Sequence, residues 1–240
     1  MLFLYNSVMK FRLQRQEIDK QLFSFCLKKI KENKVDVSRA SKKVVSEMPA
    51  ILKEIQKTGL PNYLVIKKLK KKLGYGVFLH PKAQPLLKGS LIAPYSGKII
   101  LGPQNSGSDS DYAFALISDL RLTREEQSRW DPTRPYHPRR LYSVDLDAQK
   151  KGNFTRFINH SEKPNIEARF VRIPSNAVGL SPAPFELIYI AKKMIRPGEQ
   201  LLVCYEGEDK SYWGAINIKP FPMTPKTFFL DHSCNTIYQK

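Results

Sequence analysis

Residues 152–165 read G-N-F-T-R-F-I-N-H-S-E-K-P-N, and no other stretch limits the fold so tightly. Phe157 and Ile158 are core-type residues, yet Asn159, His160 and Ser161 follow at once. Asparagine carries a donor and an acceptor, and histidine carries a tautomer-dependent pair. Beside a core, such groups need partners within the protein or on a ligand. Pro164-Asn165 then ends any regular element. The residue types fit a polar pocket wall at the edge of a core, and they equally fit a capped loop. In both cases other segments must come to meet this one.

The chain is long enough for one large domain, or a domain with a small appendage. With 42% hydrophobic and 11% aromatic residues it can build a core, so disorder is not expected. No apolar run approaches the ~18 residues of a membrane-spanning helix. The apolar start Met1–Tyr5 is short and has no basic residues before it, so no cleavable signal peptide is expected. Cys26, Cys204 and Cys234 lie far apart without C-x-x-C spacing, which argues against a zinc knuckle and a disulfide scaffold. The net charge of +18 is uneven: residues 1–73 hold 18 lysines and arginines against six acidic residues. Such a surface fits acidic partners, nucleic acid first among them, or a merely soluble basic protein.

Apolar residues from Leu13 to Ile30 fall largely on one helical stripe, and a second stripe runs from Ala40 to Ile55. Asp36 and Ser38 are candidate N-caps of the second helix, Pro49 is expected to kink or interrupt it, and Gly59-Leu60-Pro61 to stop it. The pair reads as an αα-hairpin whose apolar faces need cover from the following domain or from a second subunit, leaving a homodimer open.

Beyond Pro61 the texture changes to short β-type runs: Tyr63–Ile66, Val77–Leu79, Leu91-Ile92, Lys98–Ile100, Tyr112–Ile117, Leu141–Val144, Phe170-Val171, Leu187–Ala191 and Leu201–Tyr205. Gly102–Asp111 and Pro174–Pro184 have loop composition, and Leu122–Arg140 reads as an irregular Pro- and Arg-rich insert with a short helix near Arg124–Arg129. Many short strands without alternating helices predict a mainly β domain with some α.

Gly74-Tyr75-Gly76 permits close backbone approach or positive φ, but lacks the third glycine and helix of a dinucleotide fingerprint. Leu87–Gly97 carries K-G-S-L-I then Y-S-G, and Pro197–Tyr205 reads P-G-E-Q-L-L-V-C-Y. With R-F-I-N-H-S-E-K-P-N between them, these pieces resemble, in order, the signature of SET-domain protein lysine methyltransferases, over roughly Leu64 to Trp213. The basic hairpin makes the chain look most like the chlamydial SET-domain proteins that modify histones or the bacterium's own histone-like proteins. The resemblance implies several small β-sheets around a knot-like core. It divides the chain into a basic helical region (1–61), a SET domain (62–213, with an insert at about 101–143) and a C-terminal segment without zinc (214–240).

It also implies roles. Gly74, Tyr75, Gly76, Arg156, Phe157, Asn159, His160 and Tyr205 would meet S-adenosylmethionine, with Asn153 nearby. Tyr95 and Tyr205 would be the catalytic tyrosines, Tyr112 and Val203 would line the lysine channel, and no metal is needed. Glu162 stands where many members carry cysteine, Gln200 replaces a glutamate, and Cys204 an aspartate. Phe228, Phe229 and Tyr238 would supply an aromatic lid in place of a cysteine-rich closing segment. The implied reaction is transfer of a methyl group to a neutral lysine amine of a histone or histone-like protein. Valine at 203 leans towards multiple methylation. The place of action would be the bacterial cytoplasm, a host nucleus after secretion, or both. The competing reading is a chromatin- or DNA-binding protein on an inactive SET scaffold, with the basic N-terminal region on DNA.

Overall fold

The structure, a computed structural model, describes residues 20–32, 37–70, 73–104, 110, 112–173, 185–205, 219–220 and 222–226. The Pro174–Pro184 loop, most of Gly102–Asp111 and the proposed lid residues lie outside them. Along the chain run α1 (Lys20–Glu32), β1 (Ser38–Arg39), α2 (Lys42–Thr58), β2 (Leu64–Lys68), β3 (Tyr75–Leu79), β4 (Leu91–Pro94), β5 (Lys98–Pro103) and β6 (Ala113–Arg121). Then come α3 (Arg124–Trp130), β7 (Leu141–Asp147), a 3-10 turn (Phe154–Phe157), β8 (Asn159–His160), β9 (Ile166–Arg172), β10 (Phe185–Ala191) and β11 (Leu202–Val203). The chain forms two compact units, one of Met1–Asp36 with Ser96–Asn153, the other of Val37–Tyr95 with Phe154–Lys240. The helical region expected at 1–61 is thus shared between them.

In the larger unit a four-stranded sheet has the order β1-β9-β10-β4, β2 and β3 form a hairpin, and β8 pairs in parallel with β11. Helix α2 is capped by Ser41, whose hydroxyl accepts the Val44 N–H at 3.2 Å, and closes at Gly59 (φ +82°). It runs unbroken through Pro49. The proline is exposed, while Val44, Met48, Ile51, Leu52 and Ile55 make a buried stripe and the helix packs on β4. That packing outweighs the one helical hydrogen bond proline removes.

The smaller unit holds α1, α3 and an antiparallel sheet of order β5-β7-β6. Leu122–Arg140, expected to be irregular with a short helix near Arg124–Arg129, holds that helix and then runs without regular structure to β7. Strand β6 is irregular between Ile117 and Leu120, where Asp119 has φ +58°. Helix α1 meets α3 through Phe25 and Trp130, ring centroids 5.3 Å apart, and through Lys29 Nζ, 2.8 Å from Glu126. Cys26 is fully enclosed, and burial pushes its thiol up to about 12. The two helices read as a hairpin thus have packing partners in separate units.

Candidate active site

The site is assembled in the larger unit where β8 and β11 run side by side, Leu202 opposite Asn159 and Val203 opposite His160. These strands have two residues each, so most of the pairing energy must come from elsewhere. Asn165, fully buried, supplies it: its Nδ2 donates to the Gln200 carbonyl at 2.8 Å and its Oδ1 accepts the Leu202 N–H at 2.8 Å. Main-chain bonds from Ser161 N to Val203 O (2.9 Å) and from Asn165 N to Leu202 O (3.1 Å) extend the crossing. The Ser161 hydroxyl donates to the Met223 carbonyl, and Gln200 N to the Pro225 carbonyl at 3.0 Å. Met223 joins Val65, Leu69, Phe78 and Leu202 in an apolar cluster.

This frame fixes Tyr205. Its N–H donates to His160 Nδ1 at 3.0 Å, and its hydroxyl donates to the Ile158 carbonyl at 2.7 Å. The two rings lie edge to face, centroids 5.5 Å apart. With Nδ1 accepting, the neutral imidazole of His160 carries its proton on Nε2. Tyr205 keeps 38% of its surface exposed, so the ring is positioned yet open to a partner.

The Gly74–Gly76 turn is tied to the same segment. The Asn159 side chain donates to the Tyr75 carbonyl at 2.7 Å, and the Tyr75 ring lies edge to face with Phe157, centroids 5.6 Å apart. The Arg156 guanidinium sits 4.8 Å from the Phe157 ring centroid. Gly74 has φ +66° with open space where a side chain would begin, a conformation that favours glycine. Gly76 is constrained differently: a Cβ there would lie 2.5 Å from Gln200 Nε2. That Gln200 amide is fully buried, and neither polar atom has a partner among the described residues.

Tyr95, 6% exposed, follows β4; its N–H donates to the Leu187 carbonyl at 2.8 Å, and its ring stands 5.7 Å from that of Tyr189. Tyr189 was not expected from sequence. Burial, then proximity to Tyr95 and Tyr205, raises its phenol well above the ordinary range. Strand β10 is buried at every described side chain from Glu186 to Ala191, so no alternation in its sequence marks the functional face. Val203 is buried beside His160. Thus Gly74, Tyr75, Gly76, Arg156, Phe157, Asn159, His160, Val203, Tyr205 and Tyr95 all belong to one unit. Tyr112 and Asn153 belong to the other. There Tyr112 N donates to Ser110 Oγ at 3.2 Å, and Asn153 Nδ2 to Ser96 Oγ at 3.4 Å.

A turn of glycines, an Asn-His run crossed by a later strand and a tyrosine ending that strand define a class, and the sequence comparison agrees. Residues 74–206 match the SET domain, and the chain belongs to the SET-domain family. It is 29% identical over 119 residues to the histone-lysine N-methyltransferase, H3 lysine-4 specific, of Schizosaccharomyces pombe, covering 50% of this chain and 10% of that protein. It is 28% identical over 127 residues to the histone-lysine N-methyltransferase, H3 lysine-9 specific SUVH1, of Nicotiana tabacum, covering 53% and 16%. The chain thus spans a small part of either relative. Among solved structures, the methyltransferase domain of human SETMAR superposes with a TM-score of 0.41 at 24% identity, over 62% of this chain and 46% of that one.

Proposed function

We propose that this protein is an S-adenosylmethionine-dependent protein-lysine N-methyltransferase acting on histones or histone-like basic proteins. The observation that carries the reading is Tyr205: hydroxyl held on the Ile158 carbonyl, ring against His160, both fixed by the β8–β11 crossing within the SET-matching segment.

The bound cofactor would supply a methyl group on a cationic sulfonium. Gly74, Tyr75 and Gly76 would hold it with Arg156, Phe157, Asn159 and His160. The open face of Gly74 and the Asn159 clamp on the Tyr75 carbonyl fit a turn that offers main-chain groups to a ligand. A lysine amine has a reference pKa near ~10.4 and must lose its proton before it attacks. Desolvation in an enclosed site and the neighbouring cationic sulfonium would both disfavour the ammonium. Tyr189, raised by burial, stays neutral at physiological pH, so it offers a dipole rather than a phenolate. Tyr95 and Tyr205 would orient the amine lone pair towards the methyl carbon, and positioning with exclusion of water would supply most of the rate. Buried Val203 adds no hydroxyl to hold a water in the channel, which favours more than one methyl transfer.

The resemblance to chlamydial proteins supports a bacterial histone-like substrate, or a host histone after secretion. The test is transfer of labelled methyl to core histones and to a Lys-rich bacterial DNA-binding protein, with Tyr205→Phe alongside. Tyr205→Phe should reduce transfer by at least ~100-fold while cofactor affinity, measured by calorimetry, changes little. Cofactor binding without transfer to either protein would reject these substrates. Absence of cofactor binding would reject the enzyme and favour a DNA-binding protein on a SET scaffold.

A further inference from the structure

The smaller unit carries a feature that methyl transfer does not use. Between Arg121 and Arg140 the sequence places six arginines, three prolines and three carboxylates. A loop of that composition would ordinarily be mobile, but here two buried polar side chains hold it in one shape. Gln127, 2% exposed, donates through Nε2 to the Arg134 carbonyl at 2.9 Å and accepts the His137 N–H through Oε1 at 3.4 Å. Asp131, 8% exposed, accepts from the Tyr142 hydroxyl at 2.9 Å and from Arg134 Nη1 at 3.0 Å. Arg140 Nη1 closes the far end on the Pro135 carbonyl at 2.9 Å.

The charges divide by side. Glu126 is bound to Lys29 and Asp131 faces inward, so Glu125 is the remaining carboxylate of the stretch. Arg124, Arg129 and Arg139 are exposed, as is Tyr136. The Arg124 guanidinium lies over the Tyr136 ring, 5.3 Å from its centroid, and that of Arg129 over the Trp130 ring, 5.0 Å from its centroid. Guanidiniums placed beside aromatic rings lose little freedom on binding and offer planar forks matched to phosphate oxygens, with Arg129 also donating through Nη2 to the Gln21 Oε1 at 2.8 Å.

We propose that α3 and the loop to Arg140 form a preorganised, sequence-independent contact for the phosphate backbone of duplex nucleic acid. This contact adjoins α1 of the basic N-terminal region and would not depend on methyl transfer. An exposed tyrosine set among guanidiniums favours nucleic acid over an acidic protein, which would be met as well by lysines.

Fluorescence anisotropy of the full chain with two labelled 20-bp duplexes of unrelated sequence tests this, read across a salt series. Both duplexes should bind alike. The triple variant Arg124→Gln, Arg129→Gln, Arg139→Gln should bind ~10- to 100-fold more weakly, with a salt slope shallower by ~2–3 because about three phosphate contacts are lost. Gln127→Leu keeps every charge and should still weaken binding several-fold. Circular dichroism checks that each variant is folded. Unchanged affinity and slope in the folded triple variant would overturn the proposal and move binding to other lysines. Competition by polyglutamate as strong as by duplex, at equal charge, would overturn it in favour of an acidic protein partner.

Discussion

The two compact units use the same device to opposite ends. In the larger unit the buried groups Asn165, Ser161 and His160 fix irregular backbone around Tyr205. In the smaller unit the buried groups Gln127 and Asp131 fix irregular backbone so that arginines face outward. A buried side-chain hydrogen bond rigidifies a segment that lacks regular strand or helix partners. What differs is which residues the fixed backbone displays: aromatic and imidazole rings inside, guanidiniums outside.

Disrupting the first device should cost most. Asn165→Leu leaves the Gln200 carbonyl and the Leu202 N–H without their side-chain partners, at about 1–3 kcal/mol for each buried group. Urea unfolding should show a loss of about 3 kcal/mol or more. A loss below about 1 kcal/mol would mean that the main chain alone holds the crossing. Gly76→Ala forces a methyl towards the Gln200 amide and should cost about 1–3 kcal/mol. Gln200→Ala in the same chain should restore part of it, since it removes both the clash and an unpartnered buried amide. If the double variant is no more stable than Gly76→Ala alone, the collision with Phe78 is the dominant one.

The second device should be softer. Thr123 and Glu126 form a capping box at the start of α3, so Thr123→Ala should cost about 1 kcal/mol. Hydrogen exchange should then rise in α3 while β8 and β11 keep their protection; equal loosening of both regions would deny their independence. The smallest effect is a pH dependence. Burial pushes the Glu126 carboxyl up, but its bonds to Lys29 and the Thr123 N–H outweigh this and hold it below the usual range. Burial likewise pulls the Lys29 ammonium down, while Glu126 and Glu32 reverse the shift and raise it. A depressed carboxyl stabilises the fold above its unfolded pKa, and that stability is lost as pH falls through the folded value. A raised ammonium stabilises it below its own unfolded pKa. The α1–α3 contact should therefore be steady at neutral pH and weaken at acid pH, and Glu126→Gln should remove that acid dependence in hydrogen exchange of α1.

The same contrast explains what could be read from the chain. Short β-type runs are local signals, and the strands lie where those signals fall, with Asn159-His160 of the R-F-I-N-H-S stretch forming β8. The short helix near Arg124 is where the sequence put it, and the structure adds the Thr123–Glu126 capping box that starts it. Asn165 was not legible, because Pro-Asn looks like a breaker until Gln200 and Leu202 are beside it. Leu201–Tyr205 reads as a full strand, yet only Leu202–Val203 pairs as one, since side chains do the rest. Pro49 misled in the other direction, its local penalty overridden by packing on β4. Tyr189 hides in a strand buried on both faces, and the clamp by Gln127 exists only once the loop has folded back.

The crossing of β8 and β11 also sets an order of events as the chain is made. His160 and Tyr205 are 45 residues apart, and Ser161 waits a further stretch for the carbonyl of Met223, 62 residues on. A nascent chain that has exposed the Asn-His run has neither the strand that pairs with it nor the segment that locks the pair. Contacts of such separation form late, after loop closure has been met. Until Met223 and Pro225 leave the ribosome, the Ser161 hydroxyl and the Gln200 N–H lack these partners, and Tyr205 rests in an unfinished frame.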